Sequence, residues 1–211
     1  MNDGVLKSVL IIVAGILIWS GWFDSFFFRH RLKKGPAYLF LLFFLFGQWQ
    51  YMFNPHLSLN ISGLVQAVIL VGGIIHYARM KQVLLLSSAL FLGSLLFLYY
   101  LVMVYDPIFR LTSETFVLSA AAALSSVILA GNLEDRLWIS GASLLIANIL
   151  FVWHQHHHLH SVTICSEMWQ DQLWLGLYLA MFCHFIFNLA AKCIKKAFVL
   201  IKGNGLNRLK N

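Results

Sequence analysis

Charge is what this chain has least of. Only 11% of its 211 residues are Asp, Glu, Lys or Arg, against about 25% in an ordinary soluble domain. A water-soluble fold of this size would lack the polar surface to cover itself. Cysteine is also scarce: Cys165, Cys183 and Cys193 form an odd, scattered set. That spacing excludes a disulfide framework and a CxxC zinc site. The sequence has no phosphate-binding glycine loop, no serine nucleophile elbow and no HExxH metalloprotease helix. These absences weaken the case for an enzyme but do not remove an intramembrane one. No internal repeat of the transporter kind is visible. Asp, Glu, Lys and Arg are too few within the apolar runs for a proton- or sodium-coupled transporter, which keeps a charged midplane site.

What is present is apolar. Hydrophobic residues make up 60% of the chain and aromatics 15%, and the mean hydropathy is +0.79. They fall in long unbroken runs, the transmembrane-helix signal. The expected fold class is all-α: a polytopic membrane helix bundle with seven transmembrane helices. The spans run over Val5–Phe23, Pro36–Phe53, Leu59–Ala78, Val83–Tyr105, Thr115–Leu133, Leu137–Trp153 and Gln172–Ala191. The third is the weakest, diluted by Gln66, Gly72, Gly73 and His76. Residues 1–191 form a single bundle, and residues 192–211 a short basic tail. The first span is followed at once by a basic cluster and lacks a small-x-small site, so it reads as a retained span and not a cleaved signal.

Orientation follows from the basic residues, since cytoplasmic loops carry the excess of Lys and Arg. With the N-terminus outside, the inner segments are Arg29–Lys34, Arg79–Gln82, Glu134–Arg136 and the tail from Lys192. They hold four, two, one and six of the 15 Lys and Arg residues, leaving Lys7 and Arg110 outside. Asp3, Asp106, Glu114, Glu167 and Asp171 fall on the outer side. The C-terminus is then cytoplasmic. Trp19, Trp22, Trp49, Tyr105, Trp153 and Trp169 cluster near span ends, where amphipathic rings prefer the headgroup zone. The net charge of +7 therefore points to topology and anionic lipid, with no nucleic acid expected. Arg29, Arg31, Lys33, Lys34, Lys192, Lys195 and Lys196 are the expected lipid contacts.

Small residues recur where helices would approach closely: Ser119–Ser126 (SAAAALSS), Gly72–Gly73 and Ser140–Ser143. Asn148, Asn188, Gln48, Gln50 and Gln66 offer hydrogen bonds across helices, or the lining of a small polar cavity. Asp24 is expected to pair with Arg29 or Arg31. Glu134, Asp135 and Arg136 form a compact inner loop suited to a local salt bridge. Asn60–Ser62 fits a glycosylation sequon, relevant only in a eukaryotic secretory pathway.

Two histidine features carry candidate chemistry. The run His154–His160, HQHHHLH, opens the longest loop, which extends to Asp171 and also holds Cys165 and Glu167. Extended backbone puts His154, His156, His158 and His160 on one side. Helical backbone pairs His154 with His158 and His156 with His160. Either arrangement suits Zn or Cu, with Cys165 as a further ligand. The same imidazoles would repel one another as pH falls through about 6.5. The alternative is a polar rim where a helix leaves the membrane. Separately, His76 and His184 lie in different spans, as axial ligands of a haem or members of a proton relay would. Helix–helix hydrogen bonding is the plainer role for both.

The stretch GWFDSFFFRHR (Gly21–Arg31), following a single aromatic-rich span, carries a resemblance, together with the overall length and the succession of short-looped spans. The chain resembles the small uncharacterised YphA-like membrane proteins of spore-forming Gram-positive bacteria. The resemblance implies a bacterial plasma-membrane protein without established activity and brings no catalytic residue with it. The leading functional expectation is a non-enzymatic membrane factor acting through the lipid bilayer or a membrane-protein partner. A metal- or pH-responsive sensor or transport accessory, and an intramembrane redox or lipid-modifying enzyme, are the alternatives.

Overall fold

Without water in the hydrocarbon core, a spanning segment must satisfy its own backbone N–H and C=O groups, which favours helices. The computed structural model describes residues 4–22, 24, 28, 33–46, 49–54, 57–106, 113–156 and 162–208. Seven α-helices occur among them: α1 Val5–Trp19, α2 Lys34–Phe46, α3 Ile61–Gly73, α4 Arg79–Tyr105, α5 Glu114–Leu129, α6 Leu133–His156 and α7 Glu167–Arg208. Three, α4, α6 and α7, are long and apolar enough to cross a membrane. The other four are shorter apolar helices. The 13 residues of α3 cover roughly 20 Å at about 1.5 Å per residue, less than a hydrocarbon core of about 30 Å.

The described residues are mostly helical, as expected, and also hold one small sheet. Strands β1 (Gln50–Asn54), β2 (Leu57–Asn60) and β3 (Val162–Ile164) form one sheet in the order β1-β2-β3. β1 and β2 pair antiparallel with Tyr51 opposite Leu59; β2 and β3 pair parallel with Ser58 opposite Thr163. The Ser58 and Thr163 hydroxyls meet at 2.7 Å across that pair. Apolar composition extended the second span to Phe53, but helix α2 ends at Phe46 and the chain then turns into a hairpin.

Four further boundaries move. The third span begins as strand, turns helical at Ile61 where the Asn60 side chain accepts from Gly63 N, and closes in a 3-10 turn, Ile74–His76. Glu134–Arg136 is the first turn of α6 and not a loop. The histidine loop is shorter than expected, because α6 continues through His156 and α7 begins at Glu167. The expected basic tail continues α7 as helix to Arg208.

Side-chain contacts fix the helix directions. Lys7 of α1 meets Gln170 of α7, Ser119 of α5 meets Gln172 of α7, and Tyr105 of α4 meets His154 of α6, all at one end. At the other end Lys81 of α4 meets Asp135 of α6, and Arg136 of α6 meets His184 of α7. Thus α4 and α6 run one way while α1, α5 and α7 run the other. The first may be called the Gly4 end and the second the Arg136 end.

Helix α6 is the centre. Its residues 138–145 are all buried, as expected of a helix surrounded by others. Leu85, Ala89, Leu92 and Leu96 of α4 recur at helical spacing and pack with Trp138, Ile139, Ala142 and Leu144 of α6. Small residues do the close work. Ser119, Ala122, Ala123 and Ser126 form the buried face of α5. A Cβ on Gly93 would lie 2.7 Å from Ile146 Cβ and 2.9 Å from Ser143 O, so α4 and α6 touch through the missing side chain.

Gly93→Val should therefore destabilise the solubilised protein by about 1–3 kcal/mol, the usual cost of overpacking. Gly72→Ala, where a Cβ meets nothing within 4 Å, should leave stability unchanged or slightly raised. Thermal unfolding in detergent checks both. Equal midpoints for Gly93→Val and the parent chain would overturn the packing argument.

Candidate functional site

The first α-helical turns carry orphan N–H groups, and α1 begins in apolar company. Asp171 of α7 meets this need from another helix. Its carboxylate accepts from Gly4 N at 2.8 Å and from Lys7 N. A negative group at a helix N-terminus also answers the helix dipole. Gly4 is suited to the join: its φ is +83°, and a Cβ there would lie 2.9 Å from Glu167 Oε2.

Lys7 itself is fully buried. Burying an ammonium is costly unless it is hydrogen-bonded and its charge is balanced. Its Nζ donates to Gln170 Oε1 at 3.0 Å, and the nearby Glu167 and Asp171 carboxylates balance its charge. Ser62 Oγ donates to the same oxygen at 3.1 Å, and Gln66 Nε2 at a longer 3.5 Å. Gln170 Nε2 in turn donates to Cys165 O at 3.1 Å. Strand β3 and the turn after it are thereby pinned onto α3 and α7. Gly63 makes this possible, since a Cβ there would lie 2.5 Å from Cys165 O. Two buried amide atoms, Asn60 Nδ2 and Gln66 Oε1, have no hydrogen-bond partner among the described residues.

Lys7 is expected on the outer side, and Gln66 is expected to hydrogen-bond across helices, as it does with Gln170. Both belong to this cluster. The signal was a lone cation within an apolar run, matched by a concentration of polar residues at Gln170–Gln172.

At the Arg136 end, Lys81 Nζ and Asp135 Oδ1 pair at 2.8 Å, and the ammonium also lies 4.6 Å from the Tyr77 ring centroid. Burial, then the negative Asp135 and Glu134, push the Tyr77 phenol up to about 12. Arg136 Nε donates to Ala130 O at 2.7 Å, closing the carboxyl end of α5. Its Nη1 lies 2.9 Å from His184 Nδ1. Guanidinium only donates, so His184 accepts at Nδ1 and, when neutral, carries its proton on Nε2. That nitrogen lies 2.7 Å from Asn188 Nδ2; its N–H donates there only with the amide turned so that the oxygen takes that place. Gln82 Nε2 donates to the carbonyls of Ile74 and Tyr77 at 3.1 and 2.8 Å, closing the end of α3 that carries His76.

The expected site residues are distributed as follows. His76 ends the 3-10 turn, but its side chain lies outside the described part. His154 is tied to Tyr105 Oη at 3.3 Å and stacks edge-on against Phe97. His156 closes α6, its side chain undescribed; His158 and His160 lie outside the described residues. Cys165 is buried with φ 54°, and burial pushes its thiol up to about 11. At neutral pH it is a protonated thiol, and a metal would have to displace that proton. No group of three His, Cys, Asp or Glu suited to a metal occurs among the described residues. Arg29 and Arg31 lie outside the described residues. Asp24 pairs with Lys34 at the start of α2. Lys33 and Lys192 are exposed; Lys195 and Lys196 lie on α7, their side chains undescribed.

What both ends supply is hydrogen bonding and charge balance at helix termini. Asp171→Asn should accordingly lower stability by roughly 1–3 kcal/mol, the cost of weakening a buried charge-assisted bond. Asp24→Asn, in an exposed pair, should change it little. Unfolding midpoints of the two variants in one detergent decide the matter; an Asp171→Asn chain as stable as the parent would refute the capping role.

A sequence model for the family described as YphA-like integral membrane protein matches residues 12–204 of this chain. No curated protein and no solved structure shows significant similarity to it.

Proposed function

The chain belongs to the YphA-like integral membrane protein family, and from that premise we propose a non-enzymatic membrane factor of the bacterial plasma membrane. It crosses the bilayer seven times, with its N-terminus outside and its C-terminus in the cytoplasm. Its working surface is the cytoplasmic reach of α7, which engages anionic lipid or a membrane-protein partner. The observation that carries this reading is the length of α7. At 42 residues it extends roughly 63 Å, about twice a hydrocarbon core. From Phe185 to Ile194 every residue is exposed, including Phe185 at 59% and Ile194 at 69%. A helix that is apolar all round with no protein neighbours faces lipid or another protein. Lys192, Lys195, Lys196 and Lys202 follow where such a helix would meet the cytoplasmic headgroups. The ionisable groups Lys7, Asp171, Lys81, Asp135 and Arg136 are engaged in joining helices, which favours a scaffold over an active site.

Changing Lys192, Lys195 and Lys196 together to Gln should release most of the anionic lipid that co-purifies with the full chain. Each lysine near an anionic surface contributes about 1 kcal/mol. Native mass spectrometry of the nanodisc-extracted protein reads the lipid retained. An extracellular-active reporter should work when fused after residue 160 and fail after residue 211. Unchanged lipid retention removes the lipid role, and the reverse reporter pattern removes the topology.

A second reading draws support from His154, whose imidazole bridges the ends of α4 and α6 through Tyr105. A loop starting at that joint would transmit Zn²⁺ or Cu²⁺ binding to two helices. Zinc titration of the purified chain should then show a defined stoichiometry that disappears when His154, His156, His158 and His160 become Ala. Identical binding by parent and variant would exclude the histidine site.

A further inference from the structure

Beside the cluster at the Gly4 end, α4, α5, α6 and the first turn of α7 leave a partly open cavity of about 50 Å³. One water needs roughly 10–15 Å³ of such space, so the cavity has room for several waters or a molecule of a few heavy atoms. Its walls are of three kinds, and the largest group is aliphatic, with Leu96, Leu118 and Leu144 among it. Tyr100, Phe151 and Trp169 give aromatic surface, while Asn148, Ser166 and Gln172 give neutral polar groups. Tyr100 and Phe151 are packed edge to face with centroids 4.3 Å apart. Trp169 is held by its indole N–H on Leu144 O at 3.3 Å. These walls are set before anything enters.

The polar side is not fully used. Asn148 Oδ1 is buried without a hydrogen-bond partner among the described residues, a costly state for an amide in a membrane bundle. Gln172 is more than nine-tenths buried and is anchored through its backbone, where Ser119 Oγ donates to its carbonyl at 2.8 Å. None of the lining residues is Asp, Glu, Lys, Arg or His, so nothing there answers a charged ligand. A simple packing fault would be lined by hydrocarbon alone, whereas three neutral polar residues share this lining. Here amides and aromatic faces converge on one small space, as in small-molecule sites generally.

We propose that this cavity is a binding site for a small uncharged hydroxylated molecule of the short-chain alcohol class. Its hydroxyl meets the Asn148 and Gln172 amides, and its carbon body lies against Tyr100, Phe151 and Trp169. The site is separate from the basic reach of α7 and does not depend on the function proposed for it.

The probe is 2-fluoroethanol, followed by fluorine NMR as it is titrated into the full chain in detergent. A saturable shift is expected from the parent chain. Ala147→Phe, which fills the space, should abolish it, and Asn148→Leu should weaken binding at least fivefold. 1-Fluoropropane, in which a methyl replaces the hydroxyl, should also bind at least fivefold more weakly to the parent. This last comparison needs no variant and stands if either variant fails to fold. A linear, non-saturating response with the parent chain would mean that the cavity holds solvent only and would overturn the proposal. Equal binding of the two probes would overturn the hydroxyl recognition.

Discussion

The carboxylate of Asp171 is the contact on which the Gly4 end depends. In water a helix start can leave its first N–H groups to solvent. At a membrane boundary those groups need partners from the protein. α1 has no capping side chain of its own, and α7 lends one across 164 positions of sequence. Once α1 is docked there, Lys7 has no path to water and must find Gln170. Gln170 then collects Ser62 and Cys165 O and fixes α3 and the sheet. One capping interaction thus commits four segments to a common end.

The Arg136 end repeats the logic with opposite charge. A cation suits the carboxyl end of a helix, and Arg136 supplies it to α5 through Ala130 O. The guanidinium fork leaves a second donor for His184, which a lysine could not place so rigidly. Gln82 closes the carbonyls that follow α3. Between these ends the helices need only fit, because lipid offers no hydrophobic drive to bring them together. The fit comes from Gly93 against Ile146 and from the Ser and Ala face of α5. Polar groups therefore set register at the ends, while small residues set distance in the middle.

This division explains what the sequence could and could not disclose. Apolar runs and small residues are local signals, so the helical class and the close-packed face of α5 were legible from Ser119–Ser126 alone. Helix ends were less so, because Tyr51, Met52 and Phe53 of the strand Gln50–Asn54 prolong the apolar run of the helix before it. The joined polar cluster was illegible for a stronger reason: Lys7 and Asp171 carry no pattern that relates them. Each read as a surface charge at a span end. The histidines show the converse. Their clustering was conspicuous in sequence, and of that run the described His154 meets Tyr105 and the Phe97 ring. His184, which stood alone in sequence, has contacts at both nitrogens.

A chain with so few charges reveals its design in where it spends them. Lys7, Lys81, Asp135, Arg136 and Asp171 are drawn into the bundle, where each joins one helix to another. Lys7 and Asp171 are buried together, so removing either leaves a charge in a low-dielectric setting, and folding constrains their identities. Lys192 is different. It stands exposed on a helix that has outrun its neighbours, and no packing in the bundle requires it. It follows Phe185 and Phe187, which are 59% and 52% exposed on the same helix. Packing among the described residues thus leaves Phe185–Ile194 uncovered, and the lipid or partner contact proposed above draws on that stretch.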